Sequence, residues 1–144
     1  MRKSCARKIH DPRGWISKRL PLSFEQARDL NLAYRVSLQA LLRGSGTEQA
    51  WSTLAVAFNI TLLLAENGIR QNSIETIKLA QLALMRAHER AKRTGQWAFD
   101  GDGARVILAT ANIHDQQLDL ASKAQIMAAL VEVNRRVMVG EVFA

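Results

Sequence analysis

Apolar residues recur along this chain at helical intervals, and turn signals cut the pattern into five stretches. Behind Ser23 and Gln26, which have the spacing of a capping box, Ala27, Leu30, Tyr34, Leu38 and Leu41 predict a first helix that stops at Gly44. Leu32, Val36 and Leu42 add a second stripe, so this helix is expected to touch two neighbours. Thr47 then caps a second helix with Glu48 in its first turn, where the helix dipole favours a negative charge. Trp51, Leu54, Ala55, Phe58, Leu62 and Ala65 form its main stripe, and Val56, Ile60, Leu63 and Leu64 fill the other side. A helix apolar nearly all round must be surrounded, so residues 48–67 are predicted to be the most buried element.

Asn72 with Glu75 predicts another capping box, opening a helix along Ile74, Ile77, Ala80, Leu84, Ala87 and Ala91 that Gly95 ends. The stretch QWAFDGDG at 96–103 is the one long break, and Asp100 or Asp102 is expected to cap the helix behind it. That helix should bury Ile107, Leu108, Ala111 and Leu118. Ser122 with Gln125 opens a fifth, carrying Ile126, Ala129, Leu130, Val133 and Val137 up to Gly140. The pattern thus predicts an all-α protein, a compact bundle of about five helices in one domain at 22–140. A basic, poorly structured N-terminal arm at 1–21 precedes it and a short tail at 141–144 follows. No fixed period repeats, which argues against a solenoid.

Composition agrees with this reading. A chain of 144 residues, 48% of them hydrophobic, can close one core without a metal or disulfides. Two prolines and eight glycines favour long helices over a β-sandwich. The single cysteine, Cys5, has no partner in the chain, which points to a reducing, cytoplasmic setting. The basic start lacks the apolar segment of a secretory signal. The longest apolar run, Leu54 to Ala65, is broken by Asn59 and Thr61 and falls short of the ~20 residues of a membrane span. No membrane partner is expected.

Charge changes the picture at one place. Residues 1–20 hold Arg2, Lys3, Arg7, Lys8, Arg13, Lys18 and Arg19 against Asp11 alone, a net of +6 out of the formal +7. The rest of the chain is nearly neutral, so the basic character belongs to the arm. Such an arm can contact nucleic-acid phosphate, act as a solvated tail, or fold back with Trp15 against the bundle. Arg86, Arg90 and Arg93 share one helix face and could extend a basic strip, although a solvated last turn beside Glu89 is the favoured reading.

Candidate chemistry is sparse. His114-Asp115 resembles the pair of helical metal-dependent phosphohydrolases, and His88 could supply an earlier ligand. No aspartate follows Asp119, however, so the last ligand of such a site is missing and a solvated face carrying Asp115 and Asp119 is the favoured reading. The DGDG at 100–103 lacks the later ligands of a calcium loop. There is no nucleophile elbow and no phosphate loop. No catalytic residue, metal or cofactor is expected, and the chain is read as a non-enzyme.

In order, the segments H-D-P-x-x-W (10–15), L-P (20–21), A-L-L-R-G-x-G-T (40–47), A-F-N (57–59), N-G-I (67–69), A-Q-x-A-L (80–84) and H-D-Q-Q-L-D (114–119) resemble small uncharacterised helical proteins of proteobacterial phages, prophages and integrative elements. The likeness runs from residue 10 to about 136. It implies a small intracellular helical protein of a mobile element and assigns no reaction or ligand to any residue.

The expected function is therefore a non-catalytic accessory role through protein–protein contact with a host or mobile-element protein, such as a defence or regulatory complex. Trp97 and Phe99 beside Asp100 and Asp102, together with His114, Asp115 and Asp119, are the candidate contact residues, because aromatics anchor interfaces while the acids repel phosphate. Packing of both rings on the bundle is the structural alternative. The competing function is nucleic-acid binding through the arm, and self-association is left open.

Overall fold

The computed structural model describes the backbone of residues 24–139. The arm at 1–21, the cap at Ser23, Gly140 and the tail at 141–144 lie outside the described residues. Within them the chain forms five α-helices: α1 Phe24–Leu42, α2 Glu48–Glu66, α3 Ile74–Thr94, α4 Gly101–Leu120 and α5 Lys123–Met138, with a 3-10 turn at Gln71–Ser73 before α3. No named strand occurs among the described residues, only an isolated antiparallel bridge between Gly46 and Trp97.

Capping explains most of the boundaries. The Thr47 hydroxyl accepts from the Ala50 N–H, and the Asp100 carboxylate accepts from the Gly103 N–H. Ser122 and Gln125 form the reciprocal pair, with Ser122 Oγ accepting from the Gln125 N–H and Gln125 Oε1 from the Ser122 N–H. The Asn72 box does not form. The 3-10 turn carries the chain into α3 with Ser73 at the cap position and no side-chain cap bond. Gly44, Gly68 and Gly95 take positive φ where α1, α2 and α3 end.

α2 is the axis of the bundle and packs against all four other helices. Twelve of its 19 residues are buried, as a helix apolar on every side requires. Around it the core divides into three parts. Trp51, Leu54 and Phe58 meet Tyr34, Leu38, Leu84 and Ile107. Leu63 and Leu64 meet Leu118, Ile126 and Val133. Leu62 and Ala65 meet Ile77 and Ile113.

Two apolar expectations change. Helix α1 does touch two neighbours, α2 and α4, but of its second stripe only Leu42 packs on the core, while Leu32 and Val36 are 55% and 68% exposed. Leu108 is likewise 44% exposed, on the flank of α4 beyond the core.

Most polar groups inside the core are hydrogen-bonded to backbone or to one another, the buried Gln117 Oε1 being an exception. Trp51 Nε1 donates to the Leu84 carbonyl at 2.8 Å. Gln81 Nε2 donates to Asn59 Oδ1 at 2.8 Å. Gln117, fully buried, spreads its amide donors between the carbonyls of Thr61 at 2.9 Å and Ile69 at 3.0 Å, tying the α2–α3 turn to α4. That turn also holds Arg70 in the left-handed region at φ 65°, a conformation uncommon for a residue with a side chain.

Candidate functional site

The sequence singled out three neighbourhoods, and the structure gives each a different character. In the 96–103 loop, Trp97 and Phe99 are half-buried and packed against the main core cluster. Trp97 lies 6.1 Å from Trp51, with the half-buried His88 ring 4.8 Å from Trp51 and 5.6 Å from Trp97. The Gly46–Trp97 bridge lays this loop across the α1–α2 turn. A Cβ at Gly46 would meet the Leu41 side chain at 2.4 Å and the Trp97 carbonyl at 3.0 Å, so the close approach requires glycine. Both rings thus anchor the loop, which is the structural alternative raised for them above.

Asp100 has a double task. Besides capping α4, its carboxylate meets Arg86 Nε at 3.1 Å and an Arg90 nitrogen at 3.8 Å. Arg86 and the Gly103 N–H hold it below the usual carboxylate range. Two of the three arginines in the basic strip are therefore paired on their own protein, and only Arg93 has no ion-pair partner among the described residues. Asp102 is exposed.

His114 and Asp115 are neighbours in sequence with opposite surroundings. Asp115 is not simply solvated. It pairs with Arg35 and accepts from the Tyr34 hydroxyl, which also lies 3.1 Å from the Ala111 carbonyl, so the pair joins α4 to α1. Burial raises the Tyr34 hydroxyl above its ordinary pKa, against an opposing pull from Arg35. Asp119 is exposed. His114 is only 5% exposed, which removes it from any contact surface. Its ring meets Tyr34 edge-on at 4.8 Å, and its Nδ1 lies 2.7 Å from Thr61 Oγ1. Burial, with Arg35 adding to it, lowers its pKa from 6.5 to about 4, so His114 is neutral at pH 7. His88 sits among the tryptophans, and no group of three or more His, Cys, Asp or Glu gathers as a metal set among the described residues.

Beside Tyr34 and His114 lies a partly open cavity of about 160 Å³, walled by Val56, Ala57 and Ile60 of α2, Leu118 of α4 and Ile126 of α5. Of these the sequence pattern named Val56, Ile60, Leu118 and Ile126, but only as packing positions. The available signal was Thr61, a polar break in the most apolar helix, which proves to be the hydrogen-bond partner of His114.

On the outer side of α3, Leu79, Leu82 and Met85 are 55%, 50% and 48% exposed, a row at three-residue intervals. No helix among the described residues is long and apolar enough to cross a membrane. No family model, curated protein or solved structure matches the chain.

Proposed function

We propose that this chain is a non-catalytic accessory protein that binds another protein through the outer face of α3. The observation that carries the reading is the row Leu79, Leu82 and Met85, three large apolar side chains left about half exposed on one helix. Anchors three or four residues apart on a helix are what a protein groove or a partner helix takes up, and grouped exposed apolar residues mark contact sites. The aromatic rings of the 96–103 loop are occupied in packing and do not add to this face. The setting in a phage or other mobile element rests on the ordered short segments alone, and the partner is then a host or element protein.

The test is affinity capture from host extract with the full chain, Leu79→Asp with Leu82→Asp, and Trp97→Ala with Phe99→Ala. A partner held by the first and lost by the second supports the α3 face. Unchanged capture by the Leu79, Leu82 variant overturns it, and sedimentation of the purified protein separates a second copy from a foreign partner.

The charge distribution favours one second reading, nucleic-acid binding through residues 1–19, since the ion pairs of Asp100 occupy much of the helical strip. Phosphate contacts release counterions, so DNA affinity would fall steeply with salt. Deletion of 1–19 would lower both affinity and salt slope. Absence of binding at low salt by the full chain removes this reading.

A further inference from the structure

The geometry points to a binding site, in the cavity between α1, α2, α4 and α5, for a small neutral apolar molecule of about one ring carrying a single hydroxyl donor, such as a simple phenol. The proposal stands on the hydrogen bonds around His114. Thr61 has one hydroxyl proton and two neighbours, the Ala57 carbonyl at 2.8 Å and His114 Nδ1 at 2.7 Å. A carbonyl can only accept, so the arrangement that satisfies both contacts sends the Thr61 proton to Ala57 and has Thr61 accept from Nδ1–H. The imidazole is then neutral, with its proton on Nδ1 and a lone pair on Nε2. Its lowered pKa supports the same protonation state independently.

Among the described residues Nε2 makes no hydrogen bond. Thr61 holds Nδ1 and does not line the cavity whereas His114 does, so we assign Nε2 to the cavity side of the ring. A ring that is 95% buried thus offers one unpartnered acceptor to a mainly apolar wall, whose two hydroxyls already donate elsewhere, Thr53 to the Gln49 carbonyl and Tyr34 to α4. The remaining wall selects the rest of the ligand. An apolar cavity of roughly 150 Å³ accommodates a benzene-sized molecule, and this one is of that size. No charged side chain among the described residues lines it, so a carboxylate or ammonium would be desolvated without a partner there. A donor on the ring gains the hydrogen bond that Nε2 lacks, and a bare hydrocarbon does not.

The experiment titrates the full-length protein at pH 7.5 with p-cresol, toluene and benzoate, following the amide resonances of α2 and α4 and the imidazole nitrogens of His114. p-Cresol is expected to bind roughly two- to tenfold more tightly than toluene, the span that one net hydrogen bond supplies, and benzoate to bind least. The Nε2 resonance should move with p-cresol and stay with toluene. His114→Leu should erase the preference while keeping toluene binding, and Val56→Phe, which fills the cavity, should abolish both. Equal affinity for p-cresol and toluene, no binding of either, or an unmoved Nε2 resonance at p-cresol saturation overturns the proposal. The wild-type resonance decides the question even if His114→Leu does not fold.

Discussion

His88 and His114 each lie 4.8 Å from an aromatic ring, the first beside Trp51 and the second edge-on to Tyr34. Around His88 the space is filled, because the 96–100 loop lays Trp97 against the pair and the Gly46 bridge and Asp100 fasten that loop at both ends. Around His114 the polar atoms are fixed with equal care, by Thr61 on the ring and by Asp115 and Arg35 on Tyr34, yet a cavity of about 160 Å³ lies alongside. The contrast teaches what each region is built for. Where packing is continuous the aromatic residues serve the fold, and where an acceptor faces empty apolar space the fold leaves room for something else.

The sharpest way to break the comparison is to remove the ring at the centre of the filled region. Trp51 is 4% exposed and its indole N–H is bonded to the Leu84 carbonyl, so Trp51→Ala opens a cavity and discards a hydrogen bond. A loss of about 3 to 5 kcal/mol in urea unfolding is expected. A loss under about 1 kcal/mol would mean that the loop and His88 close over the gap and that the region is less tightly filled than its contacts imply.

The His114 region should instead reveal itself through pH. Its folded pKa of about 4 lies below the ordinary 6.5, so the unfolded chain binds a proton that the folded chain refuses. The contribution is fully present above pH 6.5 and is lost as pH falls from there toward 4, amounting to about 3 kcal/mol over that window. Urea midpoints at pH 7, 5.5 and 4.5 for wild type and His114→Leu measure it. The variant should show a flatter profile, and parallel profiles would place the proton elsewhere.

How much of this was legible beforehand depends on range. Local signals did their work: Thr47, Asp100 and the Ser122–Gln125 pair mark real helix starts, and the all-round apolar pattern of 48–67 identifies the central helix. Asn72 misled because a box needs only two residues at the right spacing, whereas the chain leaves α2 through Gly68 and a left-handed Arg70 and enters α3 by a 3-10 turn. Periodicity also could not tell that Leu32 and Val36 face outward, since which side of α1 its two neighbours cover is a property of the whole bundle. The sequence named His114 and Asp115, but their partners escaped for the same reason. His114 and Thr61 are 53 positions apart, and Asp115 and Arg35 are 80 apart, so nothing in either segment announces its partner.

A smaller effect tests how firmly the loop is fastened over the tryptophans. Gly46→Ala places a methyl group against Leu41 and the Trp97 carbonyl, and because the second of these is backbone the loop or the α1–α2 turn must shift. The expected cost is about 1 to 3 kcal/mol, with a change in tryptophan fluorescence as Trp97 moves relative to Trp51. An unchanged spectrum with unchanged stability would show that the bridge does not hold the ring.

The smallest expected effect separates the two tasks of Asp100. Asparagine can still accept the Gly103 N–H and cap α4, but it gives up the charge that Arg86 and Arg90 meet, and these pairs are part-exposed and therefore weak. Asp100→Asn should cost no more than about 0.5 to 1 kcal/mol, whereas Asp100→Ala, which also removes the cap, should cost about 1 kcal/mol more. Both variants release Arg86 and Arg90 to solvent alongside Arg93, so both should raise any affinity for DNA at low salt. If Asn costs as much as Ala, the ion pairs rather than the cap secure the loop. If neither changes DNA affinity, the α3 strip has no part in the nucleic-acid reading and only the arm remains to carry it.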